Sequence, residues 1–123
     1  GNTTGSHISG AKENTYGELD KFTVETDSFN EIISEFDLLK IDVEGYEANI
    51  ILQTDNSSWM NTDAVIEVGN SKNSKLIFDH MKGINVNLFS QKTGWKKVLE
   101  LEQMPTSYKE GSLFISTKDN IPW

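Results

Sequence analysis

The sequence predicts an α/β domain built on a mostly parallel sheet that finishes with antiparallel strands. Three observations carry this. Apolar strand-like runs at 38–41 and 64–68 alternate with segments whose apolar residues recur at helical spacing. Beyond residue 84, strand-like segments follow one another with no helix between them, which argues an antiparallel edge. The chain has 123 residues, 36% of them hydrophobic, which bounds it to one domain with one modest core.

Residues 1–18 are polar, rich in Gly, Asn, Thr and Ser, and lack periodicity, so they read as loop. Phe22 to Thr26 is a short β-prone run. Asp27 or Ser28 is placed to cap a helix bearing Phe29, Ile32, Ile33 and Phe36. Leu38 to Ile41 is the first buried-strand candidate, and Lys40 is its one charged residue. A helix follows at Gly45, with Tyr46, Ile50 and Ile51 as its apolar face. Ser57 to Met60 reads as a short helical turn that serves packing.

Ala64 to Val68 is the second strong strand. Ser71 or Asn73 is placed to cap the next helix, with Leu76, Ile77, His80 and Met81 on one face and Gly83 at its left-handed end. Ile84 to Ser90 and Trp95 to Leu101 alternate and read as strands about a turn at Thr93 and Gly94. Trp95, Val98 or Leu99, and Leu101 are the core candidates there. Pro105 to Gly111 reads as loop, Leu113 to Ser116 as the last strand, and 119–123 as a peripheral tail.

Nineteen acidic residues face eleven basic ones, for a net charge of −8. A phosphate-tracking surface needs clustered Lys and Arg, so nucleic acid and anionic membrane are not expected partners. There is no cysteine, which excludes disulfides, thiolate metal sites and Cys nucleophiles and fits a cytoplasmic setting. No segment reads as a signal peptide or membrane span.

The chemistry concentrates where the first strong strand ends. Asp42 and Glu44 stand two positions apart, so in an extended strand they share a face. They could take a proton, bind a divalent cation, or cap the helix that opens near Gly45. Glu67 lies in an apolar run near the end of the second strong strand. It would complete a three-carboxylate rim if the two strands are neighbours, or else pair with Lys40. His80 reads as structural, and His7 falls in the loop-like segment. No His/Cys/Asp/Glu spacing suggests a metal site, and no nucleophile elbow or Walker loop occurs.

The segments Phe22 to Phe29, Phe36 to Glu47 (containing Lys40-Ile41-Asp42-Val43-Glu44-Gly45) and Ile51-Leu52 resemble the FkbM family of S-adenosylmethionine-dependent methyltransferases. Val65 to Val68, with its Glu, matches the next strand of that family, and Asn2 to Ser9 resembles the Gly/Ser-rich loop before these strands. The resemblance covers roughly residues 1–90. It implies the C-terminal half of a doubly wound, Rossmann-like class I methyltransferase sheet, with 37–42 as its fourth strand and 63–68 as its fifth. Residues 84–101 and 112–116 would supply the last two.

The family's Gly-rich cofactor turn and ribose-binding acid are not found in this sequence. The expectation is therefore a single partial domain over 1–123 that is inactive by itself and does not bind S-adenosylmethionine. The resemblance further implies methyl transfer to a hydroxyl of a small molecule or sugar, with Asp42 receiving the proton and Glu44 and Glu67 orienting substrate or a cation. Two rival readings remain at this level: a metal-dependent phosphotransferase using Asp42, and a non-catalytic interaction module. Removal of the first strand would leave 38–41 as an open edge, so self-association into a homo-oligomer through that edge or through residues 1–26 is expected.

Overall fold

A computed structural model of the chain describes residues 7–11, 20–22, 33–42 and 45–123. Among these residues seven strands form one sheet: β1 (His7–Ala11), β2 (Asp20–Phe22), β3 (Leu38–Asp42), β4 (Asp63–Glu67), β5 (Asn87–Ser90), β6 (Lys96–Lys97) and β7 (Ser112–Ser116). Two α-helices are described, α1 (Glu47–Ile51) and α2 (Ser71–Gly83), with short 3-10 turns elsewhere. The strand order is β2-β1-β3-β4-β7-β5-β6.

The domain is mixed α/β, as expected, but the sheet is mostly antiparallel. Among the described residues only β3 and β4 pair in parallel. The other five pairings, β1–β2, β1–β3, β4–β7, β5–β6 and β5–β7, are antiparallel. Two placements cause this. Strand β7 inserts between β4 and β5, reversed relative to both. Strand β1 lies beside β3 in the segment read from sequence as loop. The edge of β3, expected to be open, is thus covered by β1, and β2 becomes the outer strand. The alternation of strand and helix led to the parallel expectation, yet helices lie only in the β3–β4 and β4–β5 connections among the described residues.

Burial alternates along β3 and β4. Leu39, Ile41, Ala64 and Ile66 are buried on the face packed by α1 and α2, while Lys40 and Asp42 are exposed and Val65 and Glu67 half-buried on the other. The core joins these residues to Ala48, Ile50 and Ile51 of α1 and to Ile77 and Met81 of α2. Leu88, Leu113 and Ile115 extend it to the far strands.

Trp59, in the 3-10 turn Asn56–Trp59, is fully buried, in keeping with a packing role. Its Nε1–H donates to Thr54 Oγ1 at 2.9 Å, and that hydroxyl donates to Ile51 O at 2.7 Å. A Trp can be buried whole only where its N–H is satisfied. The half-buried His80 has Nε2 2.7 Å from Thr54 O, in keeping with a structural role.

Several boundaries differ from the sequence reading. Of the helix expected from 27 or 28, the described part is a 3-10 turn at Ile33–Glu35; 27–32 lie outside the described residues, as do Thr23 to Thr26 of the β-prone run. Asn70, not Ser71 or Asn73, caps α2, its side chain accepting the Asn73 N–H at 2.8 Å. The left-handed residue beyond α2 is Asn85 (φ 61°), not Gly83. Ile84 and Asn85 therefore form a turn, and β5 begins at Asn87.

The strand expected over 95–101 shrinks to β6. The Gln103 side chain accepts the backbone N–H groups of Leu99 (2.6 Å) and Glu100 (2.9 Å), closing a 3-10 turn at Leu101–Gln103 instead. Leu99 is consequently 69% exposed and Leu101 is exposed, while Val98 packs on the core. The loop Pro105 to Gly111 contains a 3-10 turn at Tyr108–Glu110. No helix among the described residues is long and apolar enough to cross a membrane.

Candidate functional site

The only parallel pair among the described residues is where two strand C-termini meet. The register pairs Ile41 with Ile66, so the next residues, Asp42 and Glu67, stand side by side on strands about 4.8 Å apart. Both lie on the sheet face away from α1 and α2, Asp42 exposed and Glu67 half-buried. The row continues on either side: Asp42 pairs with His7 of β1, and Glu67 with Ser112 of β7. The neighbourhood of Asp42 and Glu67 expected from the sequence is therefore present. Glu44 lies outside the described residues.

The alternative roles weighed for these acids resolve differently. No Lys40–Glu67 ion pair occurs among the described residues; Lys40 is exposed, and its register partner is Val65. Nor is Asp42 the cap of α1. The N-cap residue is Tyr46, whose side chain makes no capping hydrogen bond; Glu47, the first residue of the helix, accepts through Oε2 the N–H of Gly45, which precedes the helix. No group of three or more His, Asp or Glu side chains is gathered for a metal ion among the described residues.

Glu47 is the residue that sequence reasoning missed. Its side chain is fully buried, and among the described residues no cation pairs with it. Donors from three separate segments satisfy it instead. Oε1 accepts from Gly69 N–H (3.2 Å) and Asn73 Nδ2 (3.3 Å). Oε2 accepts from Gly45 N–H and from the Tyr108 hydroxyl (3.4 Å). A buried carboxylate is tolerated only when its lone pairs are filled in this way.

Two further bonds close the network. Asn73 Nδ2 also donates to Gly45 O at 3.3 Å, and the Gly45 N–H also reaches the Tyr108 oxygen at 3.1 Å. Gly45 itself needs its lack of a side chain, with φ at +86°. The available signal was the third acid of Asp42-Val43-Glu44-Gly45-Tyr46-Glu47, two residues beyond a glycine and in the first turn of a helix. Nothing local in the sequence marks Tyr108, 61 residues away.

The ring of Tyr108 lies against Gly69. A Cβ built on Gly69 would come 2.7 Å from ring atom Cε2, closer than side chains tolerate. The loop after β3, the turn after β4 and the segment before β7 are thus fastened together beside Asp42 and Glu67. On the same face, but at the opposite end of the strands, Leu38, Val65, Phe114, Pro122 and Trp123 with Asp63 line an apolar cavity of about 310 Å³. Four residues of β3, about 13 Å, separate Leu38 from Asp42, so this cavity is not part of the acidic rim.

Comparison with known families matches residues 1–84 to the methyltransferase FkbM domain. That match covers more than half of the chain and includes both parallel strands, Glu47 and all of α2. The chain belongs to the FkbM methyltransferase domain family. No curated protein and no solved structure matches it. Tyr108 and β7 lie beyond the matched residues.

Proposed function

We propose that the acidic rim at the ends of β3 and β4 is the acceptor side of a methyltransferase site, serving methyl transfer to a hydroxyl oxygen of a small molecule or sugar. The observation that carries this is the register, which brings Asp42 and Glu67 together at the end of the parallel pair β3–β4. Ligand sites of open α/β sheets lie beyond such strand ends. The strand order supports the same reading. In β3-β4-β7-β5, strand β5 runs with β4 while β7 is reversed, as expected for the fourth, fifth, seventh and sixth strands of a Rossmann-like class I sheet.

S-adenosylmethionine is the cofactor this family implies, and the described residues do not fit it. Its seat requires a parallel strand beside β3 that ends at the rim in a Gly-rich turn. Strand β1 occupies that position in the opposite direction, so its first residue, His7, meets Asp42 there. In this reading the 123 residues are inactive by themselves and give no measurable heat with S-adenosylmethionine. In the same reading the chain self-associates through the outer edge of β2, which lies within residues 1–26. The absence of cysteine favours a cytoplasmic setting.

The residues' own part in the chemistry is proton handling and alignment. A hydroxyl oxygen placed between the two acids would give its proton to Asp42, while Glu67 accepts a hydrogen bond from the substrate and holds it in line. The test uses the native protein that carries these residues, methyl-labelled S-adenosylmethionine and a panel of hydroxylated acceptors. Label should appear on an acceptor oxygen, and Asp42→Ala should abolish its transfer. Undiminished transfer by Asp42→Ala refutes the assignment.

A further inference from the structure

From the network around Glu47 we infer that this buried carboxylate is the positioning residue of the acidic rim, holding the loop that follows Asp42 against the β4–α2 turn and the Tyr108 segment. Three features carry the inference. First, all four donors converge on one side chain, two on each oxygen. They come from the β3–α1 loop (Gly45), the β4–α2 connection and first turn of α2 (Gly69, Asn73), and the turn before β7 (Tyr108). A side chain that merely capped α1 would need only the donors of its own helix.

Second, the carboxylate is fully buried without a cation among the described residues. Its charge makes each hydrogen bond stronger than a neutral one, and displacing any donor leaves the group under-solvated. Such a group resists movement of the loops around it. Third, the loop it holds is short. Gly45 is three residues from Asp42, so chain length alone holds it within about 11 Å of the rim. Tyr108 reaches the same loop from outside the family-matched residues, over a glycine whose Cβ would displace the ring.

Glu47 therefore acts through other residues and does not touch substrate. That consequence for turnover rests on the proposed role of Asp42; the mechanical role does not, and the two are tested separately. Residue-resolved amide hydrogen exchange compares the wild-type chain with Glu47→Gln, which keeps the shape but turns an NH2 group toward two donors. The Gly45 and Gly69 amides should exchange at least about tenfold faster, the loss appropriate to a hydrogen bond to a charged group. The sheet amides of Ile66 and Leu113 should not follow. Unchanged Gly45 and Gly69 amides overturn the inference, and so does acceleration of all four amides in equal proportion.

If Glu47→Gln does not fold, Tyr108→Phe replaces it. Removing one hydroxyl should speed exchange at Gly45, which contacts it, and leave Gly69, whose bond goes to the other carboxylate oxygen. Equal effects at both glycines would overturn the assignment. In the native protein, Glu47→Gln should lower kcat for methyl transfer with KM little changed. A lowered KM-dependent term alone, with kcat intact, would show that Glu47 does not position the acid. Failure to find any methyl transfer would count against the proposed function and leave the exchange result standing.

Discussion

Gly69→Ala should destabilise the protein through one neighbour only, Tyr108. Gly69 is not among the residues with left-handed backbone, so alanine meets no conformational penalty there. Elsewhere such a change stabilises by about 0.4–1 kcal/mol, because the unfolded chain loses freedom. Here the new methyl falls on the Tyr108 ring. The ring must swing away, losing its hydrogen bonds with Gly45 and Glu47. Each of these contributes about 1 kcal/mol net. Tyr108 is 43% exposed, so displacing it also forfeits about 1 kcal/mol of partial burial.

The gain and the losses combine to a net destabilisation of about 2 kcal/mol, a fall in Tm of roughly 8 °C for a domain of this size. The assay is urea unfolding of four proteins: wild type, Gly69→Ala, Tyr108→Ala and the double variant. In the Tyr108→Ala background, Gly69→Ala should become neutral or stabilising by about 0.5 kcal/mol. The reversal of sign is the discriminating result. If Gly69→Ala is equally destabilising with and without Tyr108, the two residues are not coupled and the fastening of the rim by Tyr108 is refuted.

Asp42 is exposed, so Asp42→Ala should change stability by less than about 0.5 kcal/mol while abolishing methyl transfer in the native protein; a large stability loss would mark it as structural. Thr54→Val keeps the shape but leaves the Trp59 N–H buried without its acceptor, and urea unfolding followed by Trp fluorescence should show a loss of about 1–3 kcal/mol. The Glu110 carboxyl is held below its ordinary value of 4.5 first by the Thr106 N–H, then by the Thr106 hydroxyl, with Lys92 adding charge. A depressed folded pKa means the contribution is present above the unfolded value and is lost as pH falls through the folded one. Glu110→Gln should therefore be less stable than wild type near neutral pH, and the difference should shrink as pH falls below the ordinary carboxyl value and through the depressed folded one; a pH-independent difference would contradict this.

The acidic pair was legible because it depends on short-range information. Two apolar runs ending in acids, each followed by a helical segment, predict neighbouring strands with their acids at one end. The register then places Asp42 beside Glu67. Trp59 and His80 were equally readable as packing residues, since a lone Trp or His on an apolar face usually belongs to the core. Glu47 was present in the motif but unremarkable, because an acid in a first helical turn has a sufficient local explanation. Its burial depends on Gly69, Asn73 and Tyr108, which come close only through the strand order.

By itself, the sequence determined the family, the two central strands and their terminal acids, because periodicity and motif spacing are properties of neighbouring residues. The tertiary structure decided the direction of the sheet, the covering of β3 by β1, and the role of Glu47. Strand direction depends on which distant segment claims an open edge, and a buried charge depends on donors brought from three elements. Neither quantity is written in any local stretch of the chain.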